Sequence, residues 1–415
     1  MYRQTSVKLI RSYVPLLQKK AASDNFFGGT SPTQEDPNGL SFGLSPQQVQ
    51  FQQLARQFSK DRIIPNAAKY DASMAYPHDL FQEAHALGLL NLHVPEQYGG
   101  MQAKVLDVLI VGEELAYGCS GIGTALQGND LPSTPLLVAG TAAQCRKYLG
   151  RLVEAPLQAA YCVTEPGGGS DVSGMKTTAR KQGDKWILNG RKMWITNGGV
   201  ADWFFVLAKC EEGFIALIVD GDSPGLTREK KEVMLGQRCS DTRGITFEDV
   251  AVPEENVIGA VGKGFHVAMK AFDYTRPPIA IGAVGVARRA TDEAARYARE
   301  RQSMGKPIAE HQGVGFLLAE MAAGVEAGRL LAYRSGWEID QGRPNTYFAS
   351  VAKMKAAQHC EFCTTNAIQI FGGNGYSTGY PVEKLFRDAK IFSIYEGTTE
   401  IQHMVISRFV TGMRC

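Results

Sequence analysis

The spacing of hydrophobic positions changes its period twice along the chain. From Ser45 it is helical: Phe51, Leu54, Ala55 and Phe58 recur at three- and four-residue steps. Ser45-Pro46-Gln47-Gln48 just ahead of them is a capping-box pattern with proline in the first helical position, which predicts a helix start. Helical texture continues to about 160, with breaks expected at Pro65, at the Pro95 to Gly100 turn, and at Pro132 and Pro135. Beyond that the period shortens. Trp186-Ile187-Leu188 and Met193-Trp194-Ile195 flank Asn189-Gly190, and Asn-Gly accepts the positive φ angles of a tight turn, so a hairpin is expected there. Phe204 to Ala208 and Phe214 to Val219 read as further strands. Ile245 and Phe247, then Val250 and Val252, alternate with a one-residue slip that suits a bulge.

After about 275 the helical period returns. Val286, Ala290, Ala294 and Tyr297 form one stripe; Val314, Leu317, Leu318, Met321 and Val325 form another. Helices, then strands, then helices predict an α+β architecture in three parts. These are an N-terminal helical domain over 41–160, a middle β-barrel-like domain over 161–275 and a C-terminal helical bundle over 276–415. The alternating strand–helix order of a Rossmann sheet is missing.

Composition narrows the picture. At 415 residues, 44% hydrophobic and 21% charged, the chain can bury several cores, and a net charge of +2 gives a nucleic-acid partner no electrostatic support. No run of eighteen apolar residues is present, so no transmembrane segment is expected. Eight scattered cysteines do not make a disulfide framework. The one C-x-x-C, Cys360 and Cys363, falls in a helical stretch without a second pair and reads as two half-buried thiols on one helical face, so no metal is expected. Before Asp24 there is no acidic residue, while Arg3, Lys8, Arg11, Lys19 and Lys20 are interleaved with Leu9, Ile10, Tyr13, Val14, Leu16 and Leu17. That is the makeup of a mitochondrial presequence, here with its linker over 1–40, and it places the expected mature protein in the matrix.

Standard nucleotide motifs fail. Gly167-Gly168-Gly169 and Gly372-Gly373-Asn374-Gly375 both lack the spacing of G-x-G-x-x-G, and there is no P-loop. Three other segments stand out. Tyr161-Cys162-Val163-Thr164-Glu165-Pro166-Gly167-Gly168-Gly169-Ser170-Asp171 is a glycine-rich turn in which backbone N–H groups could approach a ligand. Met193-Trp194-Ile195-Thr196-Asn197 presents an indole beside a hydroxyl at a strand end. Ile394-Tyr395-Glu396-Gly397-Thr398-Thr399-Glu400-Ile401-Gln402 places a carboxylate in a polar turn between apolar stretches. Taken singly, each has an ordinary structural explanation: a plain loop, a core tryptophan and a helix cap.

In this order, and together with Glu113-Glu114-Leu115-Ala116, the turn from Arg301 to Gly305 and Gly372 to Tyr376, they resemble the acyl-CoA dehydrogenase family from about Leu44 onward. The stretches Leu235 to Gly244 and Phe272 to Pro277 look like its medium-chain members. The resemblance implies FAD as cofactor, an acyl-CoA substrate, electron-transfer flavoprotein as partner and a homotetramer. Tyr161, Val163, Thr164, Gly169 and Ser170 would wrap the flavin, with Trp194, Ile195 and Thr196 against its ring system. Arg301, Gln302, Ser303, His311 and Gln312 would meet the FAD pyrophosphate and adenosine, with Gln369, Ile370, Phe371, Gly372 and Gly373, some of them across a subunit boundary. Thr398, Thr399 and Glu400 would complete the cofactor site.

For the substrate the resemblance implies Ser170, Asp273, Arg276, Thr346, Gly397 and Arg408. The loop at Cys210 to Gly213 is short for the family, which leaves one CoA contact in question. Some relatives carry the base near Thr275, but a threonine cannot serve as a carboxylate, which leaves Glu396 as the implied base. The implied reaction is α,β-dehydrogenation of a medium-chain acyl-CoA in fatty acid β-oxidation. Short- or branched-chain dehydrogenase, acyl-CoA oxidase and a non-catalytic flavoprotein scaffold are the alternatives. Packing around Gln127, Leu131 and Thr134 is expected to decide chain length.

Overall fold

In the computed structural model, which describes residues 43–413, the first helix starts where the capping pattern places it. Ser45 Oγ accepts from Gln48 N at 3.2 Å, and Gln48 Oε1 accepts from Ser45 N at 2.9 Å. These two bonds open α1 (Pro46–Phe58), which buries Phe51, Ala55 and Phe58. The basic leader over 1–40 lies outside the described residues. Pro65 does not break the chain's helical course. A five-residue π turn, Ser59–Ile63, leads into α2 (Ile64–Ser73) with the proline in its first turn. Widening the helix just before a proline relieves the clash of its ring with the preceding carbonyls.

Helices α3 (His78–Ala86), α4 (Val105–Gly118), α5 (Ser120–Gln127) and α6 (Asp130–Ala139) follow. Pro132 and Pro135 sit inside α6, against expectation. Pro132 lies in the first turn, where a backbone N–H has no helical acceptor anyway. Burial of Ser133 through Leu136 outweighs the one bond lost at Pro135.

The middle part is one seven-stranded curled sheet. Its strands are β1 (Ala159–Cys162), β2 (Thr178–Gln182), β3 (Lys185–Thr196), β4 (Trp203–Cys210), β5 (Gly213–Asp220), β6 (Leu226–Lys231) and β7 (Thr242–Pro253). Strand β4 pairs antiparallel with β5 and parallel with β1 and the start of β2; β2, β3, β7 and β6 then continue antiparallel. The expected hairpin at Asn189-Gly190 does not form. Strand β3 runs straight through it, and the β2–β3 turn is made by residues 183–184. Asn-Gly here serves a bulge: the register slips between Leu188 and Gly190, opposite Val250 and Phe247. Asn189 Oδ1 accepts from Asp249 N at 2.8 Å across that bulge. Gly190 is required because a Cβ there would meet Thr177 Cα at 2.7 Å.

The C-terminal bundle consists of α7 (Gly264–Glu300), α8 (Gln312–Asp340), α9 (Thr346–Phe371), α10 (Val382–Ala389) and α11 (Thr399–Thr411). Helix α7 begins at Gly264, so position 275, expected to divide β from α, lies inside a helix. Pro277 and Pro278 are absorbed in it as well. The core explains this: Ala280, Ala283, Ala287, Ala290, Ala294 and Ala298 of α7 pack on Ala352, Ala356, Cys360, Cys363 and Ala367 of α9. Such small side chains let long helices lie close, and that packing outweighs two lost backbone bonds. Cys360 and Cys363 are fully buried there, deeper than expected. Of the two predicted stripes, Val286, Ala290, Ala294, Met321 and Val325 are buried, while Tyr297, Val314, Leu317 and Leu318 pack at the core's edge.

A buried ion network joins the first and last parts. Arg288 Nη1 lies 2.6 Å from Glu113 Oε1, and its Nη2 lies 2.7 Å from Glu114 Oε2. Arg329 of α8 approaches Glu113 at 2.9 Å, and Arg56 of α1 approaches Glu114 at 2.8 Å. Burial works to raise the Glu114 pKa, but Arg288 and Arg56 hold it below the ordinary carboxylate value. Among the described residues no helix is long and apolar enough to cross a membrane.

Candidate functional site

A cavity of about 990 Å³ opens where the three parts meet. This is the upper end of the range for small-molecule sites. Its walls include Thr124, Gln127, Leu131 and Thr134 from α5 and α6, Thr164 to Pro166 and Gly168 to Ser170 after β1, and Trp194 to Thr196 from β3. The 234–240 segment, the middle of α7, and residues 390–398 close the rest.

Strand β3 re-aims itself to reach the cavity. A second register slip lies between Lys192 and Ile195, and Trp194 sits there at φ +64°. A bulge of this kind turns a side chain out of the strand's alternation. The indole is 52% exposed although its neighbours Met193 and Ile195 are buried. Lys192, in the inward phase set by Trp186 and Leu188, is entirely buried. Its Nζ donates to Glu165 Oε1 at 2.9 Å and to Val163 O at 3.1 Å, directly beneath the glycine-rich turn. Glu165 also accepts from Lys176 N at 2.6 Å, Thr177 N at 2.9 Å and Thr177 Oγ1 at 2.5 Å. Burial would raise its pKa, but the Thr177 hydroxyl, the two amides and Lys192 pull it down to about 2. The sequence reading missed this pair. A lysine in the buried phase of a strand was the available signal.

Glu396 enters the cavity from a turn that only unusual backbone angles allow. Glu396 has φ +56° and Gly397 φ +87°. A Cβ on Gly397 would stand 2.6 Å from Gln402 Nε2, which itself donates to Gly397 O at 2.9 Å. Lys353 Nζ donates to the same carbonyl at 2.6 Å, and Arg276 Nε reaches Glu396 O at 3.3 Å. The Glu396 carboxylate accepts from Thr275 Oγ1 at 2.8 Å. Exclusion of water raises its pKa above the ordinary carboxylate value, and Thr275, Arg276 and Lys353 offset this only in part. Thr398 caps α11 by accepting from Ile401 N at 3.3 Å.

The expected site residues fall into two groups. Tyr161, Val163, Thr164, Gly169, Ser170, Trp194, Ile195, Thr196, Arg276, Glu396, Gly397 and Thr398 line the cavity. Just behind it, Thr346 Oγ1 donates to Asp273 Oδ2 at 2.7 Å, and Asp273 Oδ1 lies 4.0 Å from Arg276 Nη1. Thr399 and Glu400 form the first turn of α11; Arg408 lies further along it with a buried Nε that has no partner.

The second group sits at one end of the bundle and does not reach the cavity. Arg301, Gln302 and Ser303 are exposed on a small hairpin, and His311 Nε2 lies 3.2 Å from Ser303 O beside Gln312 at the start of α8. Gln369, Gly372 and Gly373 are exposed nearby, while Ile370 and Phe371 turn inward to the core. Phe371 stacks on Tyr297 with ring centroids 4.0 Å apart, which ties the two segments together. The Cys210–Gly213 loop is a two-residue turn between β4 and β5.

A flavin-sized ligand fits this lining. Gly169 in the wall has no atom closer than 4.0 Å to where a Cβ would be, Ser240 Oγ is buried in the wall with no hydrogen-bond partner, and the Trp194 indole is half exposed. Comparison with known proteins agrees. The models described as the N-terminal, middle and C-terminal domains of acyl-CoA dehydrogenase match residues 45–155, 160–250 and 262–411. The chain therefore belongs to the acyl-CoA dehydrogenase family, whose members are FAD-binding oxidoreductases acting on acyl-CoA.

Among its relatives is "Probable medium-chain specific acyl-CoA dehydrogenase 2, mitochondrial" of Caenorhabditis briggsae, 49% identical over 90% of this chain and 92% of that protein. Cyclohexane-1-carbonyl-CoA dehydrogenase of Geobacter metallireducens is 41% identical over 85% and 94%. The structure of butyryl-CoA dehydrogenase from Megasphaera elsdenii superposes with a TM-score of 0.88 at 38% identity, covering 90% of this chain and all of that one.

Proposed function

We propose that the chain removes the α and β hydrogens of medium-chain acyl-CoA thioesters, giving trans-2-enoyl-CoA for fatty acid β-oxidation, with Glu396 as the base. The observation that carries this reading is the Glu396 carboxylate in the cavity wall, held by Thr275 at 2.8 Å and raised in pKa by exclusion of water. A base whose pKa stands nearer to working pH takes a weakly acidic α-proton with a better driving force. The backbone N–H of Glu396 donates to the thioester carbonyl, where negative charge develops. Arg276 and Asp273, with Thr346, Gly397, Ser170 and Arg408, hold the CoA portion.

FAD held here would supply the hydride acceptor for the β-hydrogen. Thr164, Gly169, Ser170 and Trp194 would hold it, with Tyr161, Val163, Ile195 and Thr196 beside them and Thr398, Thr399 and Glu400 completing the site. The second group, Arg301 to Ser303, His311, Gln312 and Gln369 to Gly373, serves the FAD of a neighbouring subunit in a homotetramer. Its separation from the cavity of its own chain supports this. Electrons pass to electron-transfer flavoprotein.

Kinship with the medium-chain relative favours a medium-length acyl group over the short and cyclic ones that other relatives' names carry. The basic, acid-free leader and the mitochondrial name of that relative favour the matrix, and finding intact Met1 on matrix-resident protein would exclude a cleaved leader.

Glu396→Gln tests the reading. Glutamine keeps the shape and removes the basic lone pair, so flavin reduction by octanoyl-CoA is expected to slow by about 10²–10⁴-fold or more while FAD stays bound. Reduction at the unaltered protein's rate in stopped flow would refute the assignment.

A further inference from the structure

Beneath the cavity wall, one side-chain cluster draws on all three parts of the fold. Cys119 joins α4 to α5, Cys239 lies in the segment before β7, and Lys384 and Asp388 stand on α10. All four are buried. Lys384 Nζ donates to Cys119 Sγ at 3.1 Å and to Asp388 Oδ2 at 2.5 Å. Asp388 also accepts from Ser120 Oγ at 2.9 Å and from Gln237 N at 2.6 Å. The Cys119 and Cys239 thiols interact, which lowers the pKa of the first and raises that of the second. The two segments are in close contact: a methyl group on Gly121, two residues after Cys119, would stand 3.0 Å from Cys239 Sγ and 3.0 Å from Gln237 Cα.

Among the described residues, Cys119 is the one thiol drawn below the ordinary cysteine pKa. The interaction with Cys239 and the charge of Lys384 outweigh its burial. Burial pushes Cys145, Cys162, Cys360 and Cys363 the other way. A lysine–aspartate pair would suffice to join the domains, and the carboxylate is already satisfied by three donors. The sulfur adds nothing to that network except its chemistry. Thiolates beside a cation and a second thiol are the ones oxidants find. Neither thiol itself lines the cavity, but Ser120 and Ser240, their immediate neighbours in the chain, do.

We propose that Cys119 and Cys239 are a peroxide-oxidisable dithiol that closes to a disulfide across the junction of the domains. The Cys119 thiolate attacks one oxygen of hydrogen peroxide, the O–O bond breaks, and the leaving hydroxide takes a proton and departs as water. The Cys239 sulfur then attacks the Cys119 sulfenic acid, forming the S–S bond and releasing a second water. Two thiols and one peroxide thus give one disulfide and two waters, sulfur being oxidised and peroxide oxygen reduced. The bond would clamp the 234–240 segment onto α5, which are facing walls of the cavity.

The test treats purified holoprotein with hydrogen peroxide, digests it without reductant and maps peptides by mass spectrometry. A pair joining Cys119 to Cys239, lost on treatment with dithiothreitol, is expected, with Cys360 and Cys363 still reduced. Cys239→Ser should leave a sulfenic acid on Cys119 that dimedone traps. Lys384→Met should slow oxidation about ten-fold by lowering the thiolate fraction. If Cys119 and Cys239 stay reduced in the unaltered protein, or oxidise no faster than Cys360 and Cys363, the proposal is overturned.

Discussion

Replacing Lys192 by methionine removes the charge beneath the glycine-rich turn while keeping most of the side chain's volume. The amine has no contact with solvent, and Glu165 loses a partner at 2.9 Å. Breaking a buried ion pair from one side costs about 3–5 kcal/mol, because the remaining charge is stranded. Three donors stay on Glu165, from Lys176 N, Thr177 N and Thr177 Oγ1, so the lower figure, about 3 kcal/mol, applies. Most of it should appear as loosening of the turn from Thr164 to Ser170, since Lys192 also holds Val163 O.

The measurement is thermal release of FAD, followed by flavin fluorescence, beside the unfolding transition. Lys192→Met should release flavin at a lower temperature than the unaltered protein. The double variant Lys192→Met with Glu165→Gln should recover much of the loss, because both charges have then left the interior. A single variant indistinguishable from the unaltered protein, or a double variant worse than either single one, would refute the reasoning.

Three other outcomes follow from the site. Thr275→Val removes a hydrogen bond that lowers the Glu396 pKa, so that pKa should rise further. Because the base acts deprotonated, the acid limb of kcat/KM should move to higher pH, and a limb that stays or moves down would count against the assignment. Arg301→Glu should lose FAD and tetramer together, since a ligand held across subunits stabilises only the assembled form; sedimentation and flavin content read both, and a flavin-replete tetramer would exclude the role. A profile of kcat/KM from butyryl- to palmitoyl-CoA should peak at medium lengths, and a maximum at butyryl-CoA would move the reading to the short-chain class.

Local signals survived folding where the chemistry was itself local. The Ser45 and Gln48 cap needs only four residues, and the slip between Phe247 and Val250 marks the bulge it suggested. Signals that depend on a distant neighbour misled. Asn189-Gly190 has the makeup of a turn, yet Thr177 and Asp249 decide its use, and neither is near it in sequence. Pro135 stays helical through packing that no short window contains, whereas Pro65 and Pro132 sit in first turns, where the missing N–H costs little. For the site, resemblance supplied the expected residues, and geometry adds the contacts that some of them make. Glu396 meets Thr275 across 121 positions of sequence, and Lys192 meets Glu165 across 27, and both contacts perturb the carboxylate concerned.

The division of the cavity wall among three parts of the fold also bears on how the molecule is made. A ribosome delivers the N-terminal helices and the sheet before it delivers residues 390–398, which close the last wall. Until then the apolar faces of α5 and α6 and the open turn at Gly167 to Gly169 stand without a lid. A nascent chain at that stage is a natural client for chaperones and a poor one for flavin. Cofactor loading is thus a late step of maturation, and a cut ahead of Glu396 should release the cofactor while leaving the earlier helices and the sheet their own cores.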